Sequence, residues 1–213
     1  MERISKSKYG TAGMITSLFV LLLLVVFPLF VHKQYIDILN QKSLRLKKLI
    51  EDLVEASKVS SGNVKLNIEV IDLKELLAQT IGEFEDRFEN KNLKIDIEIP
   101  DEEVKIKADN RYMYRVIENL FSNITKYSID NSRVYISLTK QNDKIKLEIK
   151  NISKDKLNIS PDELMQRFVR GDKSRYTEGS GLGLSIAKSL TEMQGGKFDI
   201  NIDGDLFKVI IEY

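Results

Sequence analysis

Apolar and uncharged residues run without interruption from Gly10 to Val31. A helix needs about 20 such residues to cross a bilayer, so this pattern predicts a transmembrane helix within residues 1–32. A secretory signal peptide is the competing interpretation, but the apolar part is long and no small-x-small cleavage site follows it. We therefore expect a retained membrane anchor.

The next stretch, residues 33–60, contains no glycine or proline and predicts one long helix. Its apolar residues recur at steps of three and four, in two heptad positions, and such a seam favours a partner helix. Two interpretations stay open: the helix packs on its own domain, or it forms the stalk of a dimer. The residues are Ile36, Ser43, Ile50 and Ser57 in one heptad position and Leu39, Leu46, Leu53 and Ser60 in the other.

Beyond Gly62 the pattern alternates between strand and helix periodicity. It predicts a strand at VKLNIEVI, a helix capped by Asp72, two strands at LKIDIEI and VKIKA, and a helix over about 110–128. Two hairpins follow, one turning around Asn142 and Asp143 and one around Asp203 and Gly204. The expected fold class is α+β: a two-layer α/β sandwich, in which helices cover one face of a mixed sheet, preceded by a transmembrane helix and a coiled-coil-like helix. The expected domains are residues 1–32, 33–62 and 63–213.

The charge and composition of the chain argue against some classes of partner and exclude some kinds of metal site. The 33 basic and 32 acidic residues are interspersed, so nothing favours nucleic acid. The absence of cysteine excludes disulfides and thiolate metal sites, and the single histidine, His32, leaves no histidine-rich metal site.

Basic residues also predict the orientation of the anchor, because they are enriched on the cytoplasmic side. More of them closely follow the apolar stretch than precede it. We therefore expect a single-pass protein of the cell membrane, with the bulk of the chain in the cytoplasm. The residues counted are Arg3, Lys6 and Lys8 before the stretch and Lys33, Lys42, Arg45, Lys47 and Lys48 after it.

Two asparagines, Asn119 and Asn123, stand one helical turn apart in the segment ENLFSNITKYS. This spacing puts both carboxamides on one helix face, from which their oxygens can approach one hydrated cation. Lys126 follows within a turn. A hard cation beside a lysine suggests a polyphosphate, because Mg²⁺ keeps several waters and is usually held jointly by a few protein oxygens and by phosphates.

The segment GSGLGLS places glycines at alternate positions, Gly179, Gly181 and Gly183. Without Cβ atoms the backbone can come close to phosphates and turn its N–H groups toward them. The apolar run that continues from Leu184 opens a helix, whose positive amino end favours anions. The glycine and asparagine segments are therefore expected to form opposite walls of one nucleotide pocket.

A third segment, RFVRGDKSR at 167–175, lies between these two. In this order the three segments resemble the asparagine-rich box, the phenylalanine box and the second glycine box of sensor histidine kinases, and the resemblance covers roughly residues 34–213. It implies the α/β sandwich of the histidine kinase, gyrase and heat-shock ATPase superfamily, with ATP and Mg²⁺ as cofactors. It also implies that residues 41–62 are the second helix of a dimerisation and histidine-phosphotransfer hairpin.

The resemblance assigns a role to each matching residue. It implies that the two asparagines bind Mg²⁺, that the lysine contacts phosphate, that a tyrosine lies along the nucleotide, and that three basic residues belong to a lid. A solvated charged loop is the alternative for those three. The residues are Asn119 and Asn123 for the metal, Lys126 and Tyr127 for the nucleotide, Arg170, Lys173 and Arg175 for the lid, and Gly179, Gly181, Gly183 and Leu184 for the phosphate loop.

The first glycine box of the family, Asp-x-Gly-x-Gly, is represented here by NISKDKLN. Asn151 stands where the adenine-binding aspartate is expected. Its oxygen can still accept from the adenine amino group, but the amide carries no charge and can also be turned the other way. Because the glycines of this motif are missing, the sequence does not predict the course of the backbone in this segment.

The phosphoacceptor motif of the family is absent, since His32 is followed by Lys33 and Gln34 rather than by an acidic residue. Between Val31 and Gly62 there are enough residues for one long helix, whereas a hairpin of family size needs about twice as many. We expect that the first hairpin helix is missing and that His32 is an interfacial polar residue.

These observations predict a membrane-anchored, histidine-kinase-like protein that binds ATP and Mg²⁺ and phosphorylates a histidine supplied by another chain. Its expected partners are a second copy or a related kinase through residues 33–60, a histidine-bearing kinase chain, and a response regulator. A non-catalytic regulator of an intact kinase, or an inactive truncated kinase, is the alternative. An ATP hydrolase is a third possibility and needs a glutamate base, for which Glu118 is the candidate.

Overall fold

The computed structural model describes residues 14, 16–62, 64–141, 144–157, 160–165 and 181–213. Within it the chain divides into two compact units, Met1–Ile50 and Glu51–Tyr213. The turn predicted at Asn142 and Asp143 lies outside the described residues.

The amino-terminal part is helical. Residues 16–21 form helical turns, Leu22–Val26 is π-helical, and helix α1 spans Phe27–Ser60. The predicted helix over 33–60 is thus confirmed as a single helix. In the parts of the chain that the structure describes, none of the helices combines the length and the apolar character needed for a bilayer span.

The unit Glu51–Tyr213 contains two sheets. The smaller one pairs β1 (Glu69–Asp72) with β3 (Lys105–Ala108) in antiparallel fashion. The larger has five strands in the order β2-β4-β5-β7-β6, with β2 parallel to β4 and the other neighbours antiparallel, so the sheet is mixed as predicted. Its strands are β2 (Lys94–Glu98), β4 (Arg133–Gln141), β5 (Lys144–Ile152), β6 (Lys197–Asp203) and β7 (Leu206–Glu212).

Helices form the second layer of this unit. They are α2 (Leu73–Glu89), α3 (Asn110–Tyr127), α4 (Pro161–Met165) and α5 (Gly183–Met193). Along β5 the side chains alternate between buried and partly exposed, with Ile145, Leu147 and Ile149 on the buried face. This period of two is that of a sheet covered on one face. The α+β sandwich predicted from the sequence is therefore confirmed.

Aspartates start two of the helices. The predicted cap of α2 is confirmed, since the Asp72 carboxylate accepts from the Lys74 N–H at 2.9 Å. The Asp109 carboxylate caps α3 by accepting from the N–H groups of Arg111 and Tyr112 at 3.1 and 3.3 Å. Side-chain oxygens satisfy N–H groups that otherwise lack a partner at a helix start.

The strand predicted over VKLNIEVI is too long, because only Glu69–Asp72 forms a strand. The partner strand β3 ends at Ala108, which pairs with Glu69, and the next residue, Asp109, caps α3 instead. Accordingly the Asn67 N–H donates to the Asp109 carboxylate at 2.8 Å instead of to a backbone carbonyl of a neighbouring strand.

The second hairpin turns one residue later than predicted. Asp203 pairs with Leu206, so Gly204 and Asp205 are the turn residues. Gly204 has a φ of 63°, in the left-handed region that glycine adopts without strain.

Candidate nucleotide-binding site

Asn119 is a polar residue on the buried stripe of α3. It lies among Val116, Ile117 and Leu120 and is only 6% exposed. Its Nδ2 is the one buried side-chain nitrogen or oxygen without a hydrogen-bond partner among the residues that the structure describes. Leaving such an atom unsatisfied costs about 1–3 kcal/mol. A buried amide of this kind needs a water, an ion or a ligand as its partner.

The same position can supply an acceptor. Rotating the Asn119 carboxamide by 180° exchanges the places of Oδ1 and Nδ2. An oxygen placed there can bind a cation or a cation-bound water, and a nitrogen can donate to phosphate.

Gly183 faces Asn119 because α5 packs against α3. A Cβ on Gly183 would lie 3.5 Å from Asn119 Oδ1, so any side chain at position 183 would stand against the amide. Gly181 has a φ of 73°, which is a conformation that favours glycine. Gly183 thus leaves the space beside Asn119 open, and Gly181 allows the chain to turn into α5.

Helix α5 begins without a side-chain hydrogen bond from its N-cap residue, Leu182. The first turn of a helix carries N–H groups without intrahelical acceptors, together with the positive end of the helix dipole. Together with the glycines, this helix end suits phosphate. The buried residues Ile186, Ala187 and Leu190 anchor it to the core, while Leu184 is half-buried.

The rest of the asparagine segment lies on the last two turns of α3. Asn123, Lys126 and Tyr127 are all half-buried, and Asn123 shares the face of Asn119 because the two are four residues apart. Helix α3 ends at Ser128, which has an extended backbone.

Asn151 lies at the end of β5, as the last residue of its buried row. It is 4% exposed, and its Nδ2 donates to the Oγ of Ser128 at 2.9 Å. Backbone contacts join the same two segments: the Ile129 N–H donates to Ile152 O at 3.0 Å and the Lys154 N–H to Tyr127 O at 2.9 Å. The structure therefore brings Asn151 to the end of the asparagine helix.

In the segment NISKDKLN, the residues that replace the glycines of the family motif do not adopt a conformation that requires glycine. Among the described residues other than glycine, only Asn92 and Asn131 have positive φ, so Ser153 and Asp155 adopt ordinary backbone angles. The Ser153 Oγ accepts from the Asp155 N–H at 3.4 Å and helps to close the turn.

Glu118 faces a different neighbourhood from Asn119. Its carboxylate forms an ion pair with Arg115 at 2.5 Å, and Arg115 also binds Asp52 at 2.7 Å and Glu55 at 2.9 Å. Burial alone would lower the pKa of Arg115, but hydrogen bonds to Glu118 and Glu55 raise it overall. A carboxylate held by a guanidinium is poorly placed to take a proton from water.

Four residues named from the sequence lie outside the described residues: Arg170, Lys173, Arg175 and Gly179. Two residues near the site were not identified from the sequence. Ser128 follows the asparagine segment directly but contacts a residue 23 positions later, and Arg115 reads in the sequence as an ordinary surface charge. No local pattern links Ser128 to Asn151, or Arg115 to Asp52 and Glu55.

Residues 108–211 match the family described as histidine kinase-, DNA gyrase B- and HSP90-like ATPases. The chain is 31% identical over 175 residues to the sensor protein VanS of Enterococcus faecium, covering 80% of this chain and 44% of that protein. In fold it resembles the histidine kinase AdeS of Acinetobacter baumannii, with a TM-score of 0.69 at 24% identity over 84% of this chain and 82% of AdeS.

A second structural neighbour is the histidine kinase ThkA in complex with the response regulator TrrA, with a TM-score of 0.64 at 22% identity over 99% of this chain and 62% of that one. The chain spans less than half the length of the curated relatives it matches, at 42%, 44% and 39% of three of them. The sequence match and the shared fold agree on the same part of the molecule: the chain carries an ATP-binding domain of the histidine kinase type.

Proposed function

We propose that this chain is a membrane-anchored, histidine-kinase-like protein of two-component signalling, which binds ATP with Mg²⁺ and transfers the γ-phosphoryl group to a histidine on another chain. The observation that carries the proposal is the buried, unpartnered amide of Asn119 facing Gly183. ATP, the nucleotide expected from the matched ATPase family, can be the partner of this amide.

The residues around this amide fit ATP and Mg²⁺. Oxygens of Asn119 and Asn123 suit a hydrated Mg²⁺, and Lys126 suits the phosphates. Tyr127 and Asn151 border the nucleoside side of the same pocket. The phosphate loop is assigned to Gly179, Gly181, Gly183 and Leu184, and the lid to Arg170, Lys173 and Arg175.

In phosphoryl transfer the protein acts mainly by positioning and by electrostatic stabilisation. The bound metal neutralises charge on the phosphates. Lys126 adds positive charge, and the amino end of α5 with Gly181 and Gly183 offers backbone donors. Glu118 is engaged by Arg115, which argues against ATP hydrolysis with this residue as the base.

The acceptor histidine is proposed to belong to another chain. His32 is the only histidine, and Lys33 and Gln34 follow it. Residues 33–60 supply a helix for pairing with a second copy or a related kinase, while residues 63–213 hold the nucleotide. A response regulator is the proposed downstream partner, as ThkA is seen bound to one.

Membrane attachment is supported by the uncharged stretch from Gly10 to Val31. The basic residues that follow it favour the cytoplasmic side for the ATP-binding domain. ATP and response regulators are then available in the same compartment.

The test is phosphoryl transfer by the full chain in detergent, with Mg²⁺, γ-labelled ATP and a separate dimerisation hairpin that carries its histidine. We expect acid-labile label on the hairpin and none on a hairpin whose histidine is replaced. Asn119→Ala should abolish the label, whereas Asn201→Ala, at an exposed position of β6, should not. Label on the chain itself would contradict transfer in trans. An unlabelled hairpin despite ATP binding would favour a non-catalytic regulator of an intact kinase, the interpretation that the missing acceptor motif supports.

A further inference from the structure

A buried hydrogen-bond clamp joins the start of α3 to the end of α5. Asp109 directly precedes α3 and is 5% exposed, and Gln194 directly follows α5 and is 7% exposed. The Gln194 Oε1 accepts from the Asp109 N–H at 2.8 Å, and its Nε2 donates to Leu190 O, also at 2.8 Å. Both partners are backbone groups, one of which can only donate and the other only accept, so the orientation of this carboxamide is determined.

The Asp109 side of the clamp is held independently of α5. The Asp109 carboxylate accepts from the N–H groups of Asn67, Arg111 and Tyr112. The residue before it, Ala108, is the last residue of β3 and pairs with β1. Gln194 therefore fastens α5 to a point that is already fixed by two other elements.

The candidate nucleotide site lies at the opposite end of the same helix pair, where Gly183 faces Asn119. Asn119 lies ten residues after Asp109, and Gln194 lies eleven residues after Gly183. At 1.5 Å per residue both spans measure about 15–17 Å. The two helices therefore run antiparallel between two contacts, the clamp at one end and the glycine against the amide at the other.

Apolar packing holds α5 in place less strictly than the clamp does. Ile186, Ala187 and Leu190 anchor the helix to the core, but the hydrophobic effect is non-directional and tolerates small displacements along a helix axis. A hydrogen bond weakens as soon as donor and acceptor leave a narrow range of distances and angles. The clamp therefore sets the axial position of α5, and with it the distance from the first turn of α5 to Asn119.

We propose that Gln194 is a positioning residue for the phosphate site: its clamp on Asp109 holds the first turn of α5 where its N–H groups and the Asn119 side chain meet the same phosphates. Gln194 lies about three helical turns from Gly183 and acts only through the helix. This inference rests on the proposed function. It adds a residue remote from the nucleotide that determines how tightly the phosphates are held.

The test compares the binding of ATP and adenosine, both with Mg²⁺, to the full chain in detergent, by calorimetry for ATP and by NMR titration for adenosine. Gln194→Met keeps a side chain of similar length but makes neither hydrogen bond. We expect ATP binding to weaken by about tenfold or more, as lost phosphate contacts predict, and adenosine binding to change by less than about twofold. Adenosine has no phosphates, and its proposed neighbours, Tyr127 and Asn151, lie at the other end of α3 from the clamp.

Two further variants separate positioning from a general loss of stability. Gln194→Asn keeps an amide on a chain one methylene shorter, which cannot reach both backbone groups. It should show the same selective loss of ATP affinity, and it replaces Gln194→Met if that variant does not fold. The control is Ile145→Ala, a buried position at the opposite end of β5 from Asn151. It lowers stability by leaving a cavity but should leave the ratio of ATP to adenosine affinity unchanged.

A measurement without nucleotide reports the position of α5 itself. In ¹⁵N-labelled protein, the backbone amide of Asp109 should be protected from hydrogen exchange and should lose that protection in Gln194→Met. The amide signal of Gly183 should shift in the same variant, although about three helical turns separate the two positions. Both signals should stay unchanged in Ile145→Ala.

The outcomes separate this inference from the proposed function. Equal losses of ATP and adenosine affinity, or an ATP affinity that both Gln194 variants leave unchanged, overturn the positioning role. A Gly183 signal that does not move when the clamp is removed also overturns it. If the unchanged protein binds no ATP, the proposed function fails and the role toward phosphate fails with it, even where the Gly183 signal shifts as expected.

Discussion

Phe121 lies between the two asparagines of α3 and holds their helix against the core. Its ring is fully buried and meets Phe84 and Phe88 edge-on, with centroids 5.7 Å apart in each case. Edge-to-face aromatic contacts stabilise beyond the area they bury. The position of Asn119 therefore depends on a side chain that touches no ligand.

We predict that Phe121→Ala lowers the free energy of unfolding by about 3–5 kcal/mol, because it removes a large buried ring and leaves a cavity. Urea denaturation followed by circular dichroism measures this loss. The control is Tyr135→Ala on the outer face of β4, where 36% of the side chain is exposed, and its cost should stay below about 1 kcal/mol. Equal losses for the two variants would contradict the proposed role of the ring cluster.

At this scale the sequence predicted some site residues and missed others. Asn119, Asn123 and Gly183 were identified because their spacing lies within one helix or one short loop, where local geometry follows from the chain itself. Ser128 was missed because its contact with Asn151 depends on how α3 ends against β5. A contact of that kind is set by the tertiary fold.

Arg115 connects two elements, the carboxyl-terminal part of α1 and the asparagine helix α3. Its side chain is 15% exposed, and its guanidinium binds Asp52 and Glu55 of α1 as well as Glu118 of its own helix. Removing one member of a buried ion cluster leaves the other charges without compensation. The same cluster therefore ties residues 51–60 to the helix that carries Asn119.

We predict that Arg115→Gln destabilises the protein by about 3 kcal/mol or more, since three carboxylates lose their shared cation. Amide hydrogen exchange should rise selectively in residues 51–60. Arg111→Gln is the matched control, because Arg111 lies one turn earlier on α3, is exposed, and stacks on the Tyr112 ring. Unchanged exchange in residues 51–60 after Arg115→Gln would show that apolar packing alone holds them.

Element types were more predictable than their ends. Alternation and helical periodicity identified the hairpins, α2 and α3, and the mixed sheet followed from their order. The first strand was predicted too long because the pattern of VKLNIEVI continues past the last residue that its partner β3 can pair. Strand length depends on the partner as well as on the strand's own sequence.

For the molecule as a whole, the apolar seam of α1 has two possible partners: its own domain or a second helix. In the structure Ile36, Leu39, Leu46, Ile50 and Leu53 are all exposed. An exposed apolar row with a heptad repeat fits a coiled-coil partner. The exposed row can take a second copy of this helix as its partner, while Ala56 and Val59, further along α1, are buried in the core.

We predict that the full chain in detergent is dimeric by sedimentation equilibrium and that Leu39→Lys with Leu46→Lys shifts it to monomer, because charges at seam positions cannot be buried without cost. Gln41→Lys adds a charge to the same helix outside the seam and should leave the dimer intact. A dimer that tolerates both seam lysines would place the interface elsewhere.

The most direct measurement is calorimetric titration of ATP into the full chain, with Mg²⁺ and then with the metal removed by chelation. We expect saturable binding that weakens without Mg²⁺ and that falls at least about tenfold in Asn119→Ala, as losing a contact to a charged ligand predicts, while Asn201→Ala binds like the unchanged protein. Absence of ATP binding, or binding that is indifferent to Asn119, would contradict the assignment of the pocket to the asparagine helix and the glycine segment.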